Sequence, residues 1–189
     1  MAMPTLALPL PRYTVDDLER FPEDGNRYEL LEGWLIVTPL PSPRHQGLTT
    51  LLLAALHDHL RAGPHGYVYP VGAVHRGPNT RLLPDILVAS PQGRPSIEWA
   101  RMTELWLAVE ILSPSTERYD RDYKVNAYLA LGVREVWLVD AREQVIEVHR
   151  TVGEAPTVVT AVLEWRAPTV AMPLRLDVPA LFADAGDVE

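Results

Sequence analysis

Leu107-Ala108-Val109-Glu110-Ile111-Leu112-Ser113-Pro114 is an apolar run with one acid set inside it. A run apolar at successive positions reads as a strand covered on both faces, and a carboxylate within it is costly to desolvate unless a cation or a hydrogen-bond donor receives it. Working outward, Ser115 or Thr116 can cap a helix that runs through Leu131 and stops at Gly132, the expected C′ residue. Glu135-Val136-Trp137-Leu138-Val139-Asp140 then reads as a second strand. Strand, helix, strand from Leu107 to Asp140 predicts a right-handed crossover between parallel strands, and hence a mixed α/β protein with a central mixed sheet flanked by helices.

Upstream, Leu82-Leu83-Pro84-Asp85-Ile86-Leu87-Val88 places a second acid at the mouth of another apolar run, and we expect a strand from Leu83 to Ala89. Pro84 cannot donate a ladder hydrogen bond, so the Pro-Asp pair suits a strand entrance. Further out, Thr14 with Asp17 caps a short helix ended by Pro22. Arg27 to Val37 reads as a β-hairpin turning at Glu32-Gly33, and apolar positions from His45 to Arg61 recur at helical spacing. Tyr67 to Val71 and Ala73 to His75 are strand candidates, and Pro91 to Arg101 reads as a loop. Val145 to Arg150 completes a hairpin with the Glu135 strand. Thr157 to Leu163 and Leu174 to Leu176 add strands, and Asp177 to Phe182 a closing helical turn. One domain over 1–189 is the expectation, with 1–12 and 183–189 loosely ordered.

Lys124 is the only lysine; the other 16 of the 17 basic residues are arginines. A chain that uses arginine everywhere else and keeps one lysine points to a position needing a compact ammonium rather than a planar guanidinium. Helical spacing puts Lys124 on one face with Asp120, Tyr128 and Leu131, from which it could reach back over Glu110. If the two acidic strands are neighbours, Asp85 and Glu110 can share a cation with a backbone carbonyl, that of Ile111. These are the parts of a phosphodiester hydrolase: a metal to neutralise the phosphate and acidify water, and a lysine to position that water or stabilise the transition state. With no cysteine in the chain, oxygen and imidazole ligands favour Mg²⁺ or Mn²⁺ over Zn²⁺.

Hydrophobic residues make up 47% of the chain and charged residues 22%, which places it among ordinary globular proteins. No signal peptide or membrane span is evident in the sequence, so the cytoplasm is expected. A net charge of −8 argues against a protein that coats nucleic acid with a broad basic face. Arg76, Arg81, Arg94, Arg101, Arg118, Arg121 and Lys124 instead lie in the segments around the two acids, from which a local basic rim is expected.

Taken one by one these residues have plainer readings. Asp85 can be a strand-entry turn, Glu110 the partner of an arginine in a buried ion pair, Glu29 an exposed hairpin residue and His45 a surface residue at a helix start. Tyr128 and Trp137 can be core packing, and His75 and His149 lack metal-ligand spacing.

Together, Tyr28-Glu29-Leu30-Leu31-Glu32-Gly33, Pro84-Asp85, Val109-Glu110-Ile111-Leu112-Ser113-Pro114-Ser115, Lys124 with Tyr128, and Gly132 to Asp140 resemble the PD-(D/E)XK nuclease superfamily, and within it the Uma-two family of restriction-endonuclease-like proteins. The resemblance covers Tyr13 to Arg150. It implies a restriction-endonuclease-like fold and a Mg²⁺- or Mn²⁺-dependent endonuclease acting on DNA as a homodimer. Catalysis would rest on Asp85, Glu110, Lys124 and Glu29, and the metal on Asp85, Glu110 and Ile111. By the same resemblance His45 stands near the substrate, with Arg121 and Tyr128, on the Lys124 helix, as further candidates for contacting it. One departure is that Leu112 occupies the place of the usual strand lysine, so the lysine would have moved to the next helix as Lys124. The alternative is a non-catalytic nucleic-acid-binding or assembly module that keeps the nuclease fold.

Overall fold

The computed structural model describes residues 12–61, 63, 66–90, 99, 102, 104–114 and 116–186. Thr14 opens a short helix α1 (Val15–Leu18), where Asp17 Oδ2 accepts from both the backbone N–H and the hydroxyl of Thr14. The hairpin follows as expected, with β1 (Arg27–Leu31) and β2 (Trp34–Thr38) joined by Glu32 and Gly33, both at positive φ. Two consecutive left-handed residues make the type I′ turn that matches strand twist, and Glu32 tolerates it because Gly33 takes the more open of the two angles. Ser42 then caps α2 (Pro43–Leu60), its hydroxyl accepting from the His45 N–H, with Pro43 in the first turn.

β3 (Tyr67–Pro70) and β4 (Val74–Arg76) lead into β5 (Thr80–Leu82), β6 (Ile86–Ala89) and β7 (Leu105–Ile111). Here one expectation needs correcting. The strand expected from Leu83 to Ala89 begins only at Ile86, as β6, and β5 before it is a further strand: β5 belongs to a four-stranded sheet ordered β2-β1-β5-β4, and β6 to a six-stranded sheet that also holds β3 and β7. Leu83-Pro84-Asp85 is the step between the sheets. Pro84 has no N–H to give a ladder, and the Leu83 N–H is taken by the Glu29 carboxylate instead of a strand neighbour. Most of the expected loop Pro91 to Arg101 lies outside the described residues.

The helix after β7 also departs from expectation. It begins at Glu117 as α3 (Glu117–Tyr119), widens to a π turn over Asp120–Lys124 and resumes as α4 (Val125–Ala130); Ser115 lies outside the described residues. The wide turn spans Asp120 and Lys124, the two residues of this turn that are buried. Gly132 at φ 94° ends the helix, and β8 (Glu135–Asp140) pairs parallel with β7, as the crossover requires. β9 (Val145–His149) returns antiparallel to β8, and β10 (Thr157–Val159) closes that edge, giving the order β10-β9-β8-β7-β6-β3. The expected strand Thr157 to Leu163 is thus two: β11 (Val162–Trp165) leaves the sheet to pair with β12 (Leu174–Asp177). Asp177 caps α5 (Val178–Asp184), so Ala183 and Asp184 are helical rather than loose; 1–11 and 187–189 lie outside the described residues. No described helix is long and apolar enough to cross a membrane.

Alternation along the central strands divides the core. Ile86, Val88, Leu107, Val109, Ile111, Trp137 and Val139 pack with α2, α5 and the β11–β12 pair. Leu87, Ala89, Ala108, Val136 and Leu138 pack with Val125 and Tyr128 of α4. β7 is buried at all seven positions because both its faces are covered. Glu110 lies two residues from Ala108 and so points to the face that carries Lys124.

Candidate active site

The last ladder pair between β6 and β7 is Ile86 with Val109. One step further along the antiparallel register, Asp85 stands opposite Glu110, and Asp85 Oδ2 accepts from the Ile111 N–H at 2.8 Å. The acids at the two strand ends therefore meet. The plainer reading of Glu110 as the partner of an arginine is replaced by a lysine: Lys124 Nζ lies 3.2 Å from Glu110 Oε1. The ammonium that a strand lysine at position 112 would present beside Glu110 arrives from the helix.

Lys124 is held from three sides. Its Nζ is 2.9 Å from Glu29 Oε2 and 3.4 Å from Asp120 Oδ1 in addition to the Glu110 contact. Glu29 is fully buried and uses its other oxygen to accept the Leu83 N–H at 2.7 Å. It is no exposed hairpin residue; it ties β1 to the Leu83–Asp85 step and to the lysine at once. Tyr128 donates to Glu110 Oε1 at 2.6 Å. Burial disfavours the charged lysine, but Glu110, Glu29 and Asp120 outweigh it and push its pKa above the ordinary value. One ammonium among three acids cannot neutralise all of them. Burial, opposed by Lys124 and reinforced by Asp85, pushes the Glu110 carboxyl well above its usual range, and burial likewise raises Asp120. Tyr128 is raised by burial and by Glu110 beside it.

Asp85 behaves in the opposite way. Arg27 Nη1 lies 2.9 Å from its Oδ1 and His45 Nε2 3.0 Å from its Oδ2. Burial pushes its carboxyl up, but the His45 and Arg27 contacts and the Ile111 N–H outweigh it and hold the pKa below the ordinary value. Asp85, Glu110, Ile111, His45, Arg27, Asp120 and Lys124 all line one cleft of about 760 Å³. Residues 38–43, which include Pro39, Leu40, Pro41 and Pro43, also line it, as do Arg44 and Arg142. The Nε–H groups of Arg27 and Arg44 are buried without an acceptor among the described residues.

A hard divalent cation is commonly held by one or two carboxylates, with water and substrate completing its shell. Asp85 and Glu110 fit that donor set: they meet at one end of the sheet, both line the cleft, and Glu110 Oε2 takes no part in the bonds just described. Among the described residues no three His, Asp or Glu side chains are grouped to hold a metal on their own. A third protein ligand would have to be a backbone group.

Other expectations fare unevenly. His45 lines the cleft. Tyr128 is fully buried, so as a substrate contact it is corrected to a support of Glu110. Arg121 is occupied by Asp140 at 2.7 Å, by Glu147 and by Glu117, and does not line the cleft. The expected basic rim also changes. Arg76 bonds the carbonyls of His75, Met102 and Leu131, Arg118 pairs with Asp122, and Arg81 does not line the cleft. Arg94 and Arg101 lie outside the described residues. Among the described residues the arginines at the cleft are Arg27, Arg44 and Arg142, none of them singled out from sequence. For Arg27 a signal existed: two residues before Glu29 in a strand, it shares a face with that acid. Asp120 was visible only as a helix-face neighbour of Lys124. His75 and His149 do not line the cleft.

The fold has a counterpart among solved structures. A putative nuclease belonging to DUF820 from Anabaena variabilis superposes with a TM-score of 0.74 over 92% of this chain and 99% of its own. At 22% identity the likeness is one of fold. No curated protein matches the chain. The model of the Uma2 family, described as putative restriction endonuclease, matches residues 15–179, and the chain belongs to that family.

Proposed function

We propose that the cleft hydrolyses phosphodiester bonds in DNA with the help of Mg²⁺ or Mn²⁺. The observation that carries this reading is the 3.2 Å approach of Lys124 Nζ to Glu110, which restores the acid and lysine pairing in spite of Leu112. Asp85, Glu110 and the Ile111 carbonyl would hold the cation. When bound it would offset charge on the scissile phosphate and lower the pKa of a water. Lys124, fixed by Glu29 and Glu110, presents one oriented ammonium to that water or to the charge developing on phosphorus. Arg27 and Arg44 line the cleft, where their guanidinium groups can meet the phosphate. Two copies of the chain, each with one cleft, would serve to cut both strands.

Plasmid nicking in Mg²⁺ or Mn²⁺ tests this. Wild type is expected to nick, and Asp85→Ala and Glu110→Gln to lose nicking; equal nicking by wild type and Asp85→Ala overturns the reading. Lys124→Arg is expected to lose cleavage with its circular dichroism unchanged, since the charge stays but its shape changes. One observation favours the alternative of a non-catalytic binding or assembly module: Arg27 and His45 already occupy both oxygens of Asp85. Calorimetry with Mn²⁺ separates the two, because absence of binding at neutral pH favours the module.

A further inference from the structure

We infer that the cleft takes an unpaired DNA strand, either single-stranded DNA or the free flap of a branched end, in preference to an intact duplex. This rests on the phosphodiester reading above and names the substrate class for the same site.

Depth comes first. The side chains of Asp85, Glu110 and Lys124 are only 4%, 3% and 2% exposed, so a scissile phosphate has to enter the cleft to meet them. At about 760 Å³ the cleft has the size of a small-molecule pocket, room for a few nucleotides of one strand. A duplex is stiff over tens of base pairs and carries its second strand alongside the first. One strand goes in most readily where the other has been parted from it, as in the underwound stretches of a supercoiled plasmid.

The wall is the second observation. Leu40 is 74% exposed, flanked by Pro39 and Pro41, and its side chain rests near Gly25, where an added Cβ would stand 3.4 Å from Leu40 Cδ1. A braced apolar side chain at the lip of a charged cleft has nothing to offer a phosphate. It suits the face or edge of a base, which a stacked duplex hides and an unpaired strand shows.

Charge is the third. Binding a duplex through its backbone typically uses about six to ten phosphate contacts. Here the chain carries a net charge of −8, and among the described residues three arginines line the cleft, Arg27, Arg44 and Arg142. Arg142 already shares its guanidinium with Glu143 and Glu117. Three guanidiniums suit a short run of phosphates on one strand, not the two backbones of a groove.

The test is fluorescence anisotropy of the wild-type chain, in EDTA so that nothing is cut, with a labelled single strand and with its duplex of the same sequence. The single strand is expected to bind about tenfold tighter or more, since the duplex must first be unpaired at the cleft. Leu40→Ala, at an exposed position, is expected to weaken single-strand binding by about tenfold and to leave duplex binding unchanged. Equal or tighter binding of the duplex overturns the inference, as does a Leu40→Ala chain that keeps the whole preference. The same DNAs incubated with Mn²⁺ separate the two levels of argument. Duplex cut as fast as single strand overturns this inference and leaves the nuclease reading standing. No cleavage of either DNA, with the binding preference intact, overturns the nuclease reading and supports the strand preference.

Discussion

Lys124 is where residue chemistry decides most. Its ammonium compensates Glu29 and Glu110, both fully or almost fully buried, so Lys124→Met leaves two carboxylates without a cation. The cost of such a broken buried pair is about 3–5 kcal/mol, and urea unfolding at neutral pH measures it. Glu110 makes a separate prediction. Its folded pKa is raised above the unfolded value, so the folded state binds more protons, and its contribution to stability falls as pH rises between the two values. The urea midpoint of the wild type is therefore expected to increase as pH falls towards the ordinary carboxylate range, with a smaller change in Glu110→Gln. Asp85, whose pKa is lowered, acts the other way: its contribution is present above the usual carboxylate value and is lost only as pH falls below it. Arg27 competes for Asp85 with any metal, so Arg27→Gln is expected to bind Mn²⁺ several-fold more tightly in calorimetry, provided the cation goes to Asp85. These residues were not equally legible in the sequence. The uniqueness of Lys124 and the acids inside apolar runs could be read directly, because desolvation makes such placements costly. Arg27 carried only the weak signal of sharing a strand face with Glu29, since what sets it apart from the other arginines is a partner 58 positions away.

At the scale of elements, the hydrophobic pattern located most strands and helices and failed where the chain changes sheets. Apart from Pro84 and Asp85, Leu82 to Ala89 is apolar, and apolarity does not say where β5 ends, where β6 begins or to which sheet each belongs. Only Pro84 marked the break. The splitting of β10 from β11 was hidden in the same way, and the π turn had no signal in helical spacing, since Asp120, Lys124 and Tyr128 fall on one face of a regular helix as well. The sheet crossings now carry a prediction. Gly72 lies between β3 of one sheet and β4 of the other, and a Cβ there would stand 2.6 Å from Leu87 Cβ. Gly72→Ala must therefore push β6 away from the crossing, beside the step that places Asp85. A loss of about 1–3 kcal/mol in urea unfolding is expected, and a Gly72→Ala chain as stable as wild type would show that the crossing has slack.

The whole molecule is acidic, with a net charge of −8, and the substrate we propose is nonetheless an anion. The two are compatible because the cations are local. Arg27 and Arg44 line the cleft, while Arg76, Arg118 and Arg121 are committed to carbonyls or carboxylates elsewhere. Counting the arginines of the cleft gives about three neutralised phosphates, and for a single strand the logarithm of affinity falls with the logarithm of salt concentration by about 0.7 per phosphate. A slope of about −2 is thus expected for single-stranded DNA in metal-free buffer, far shallower than a broad basic face would give. Titration by anisotropy across a salt series measures it directly. A slope near −6 would mean that basic residues beyond the cleft hold the DNA, and Arg27→Gln would then barely change it; at about −2, losing Arg27 should remove about a third of the dependence.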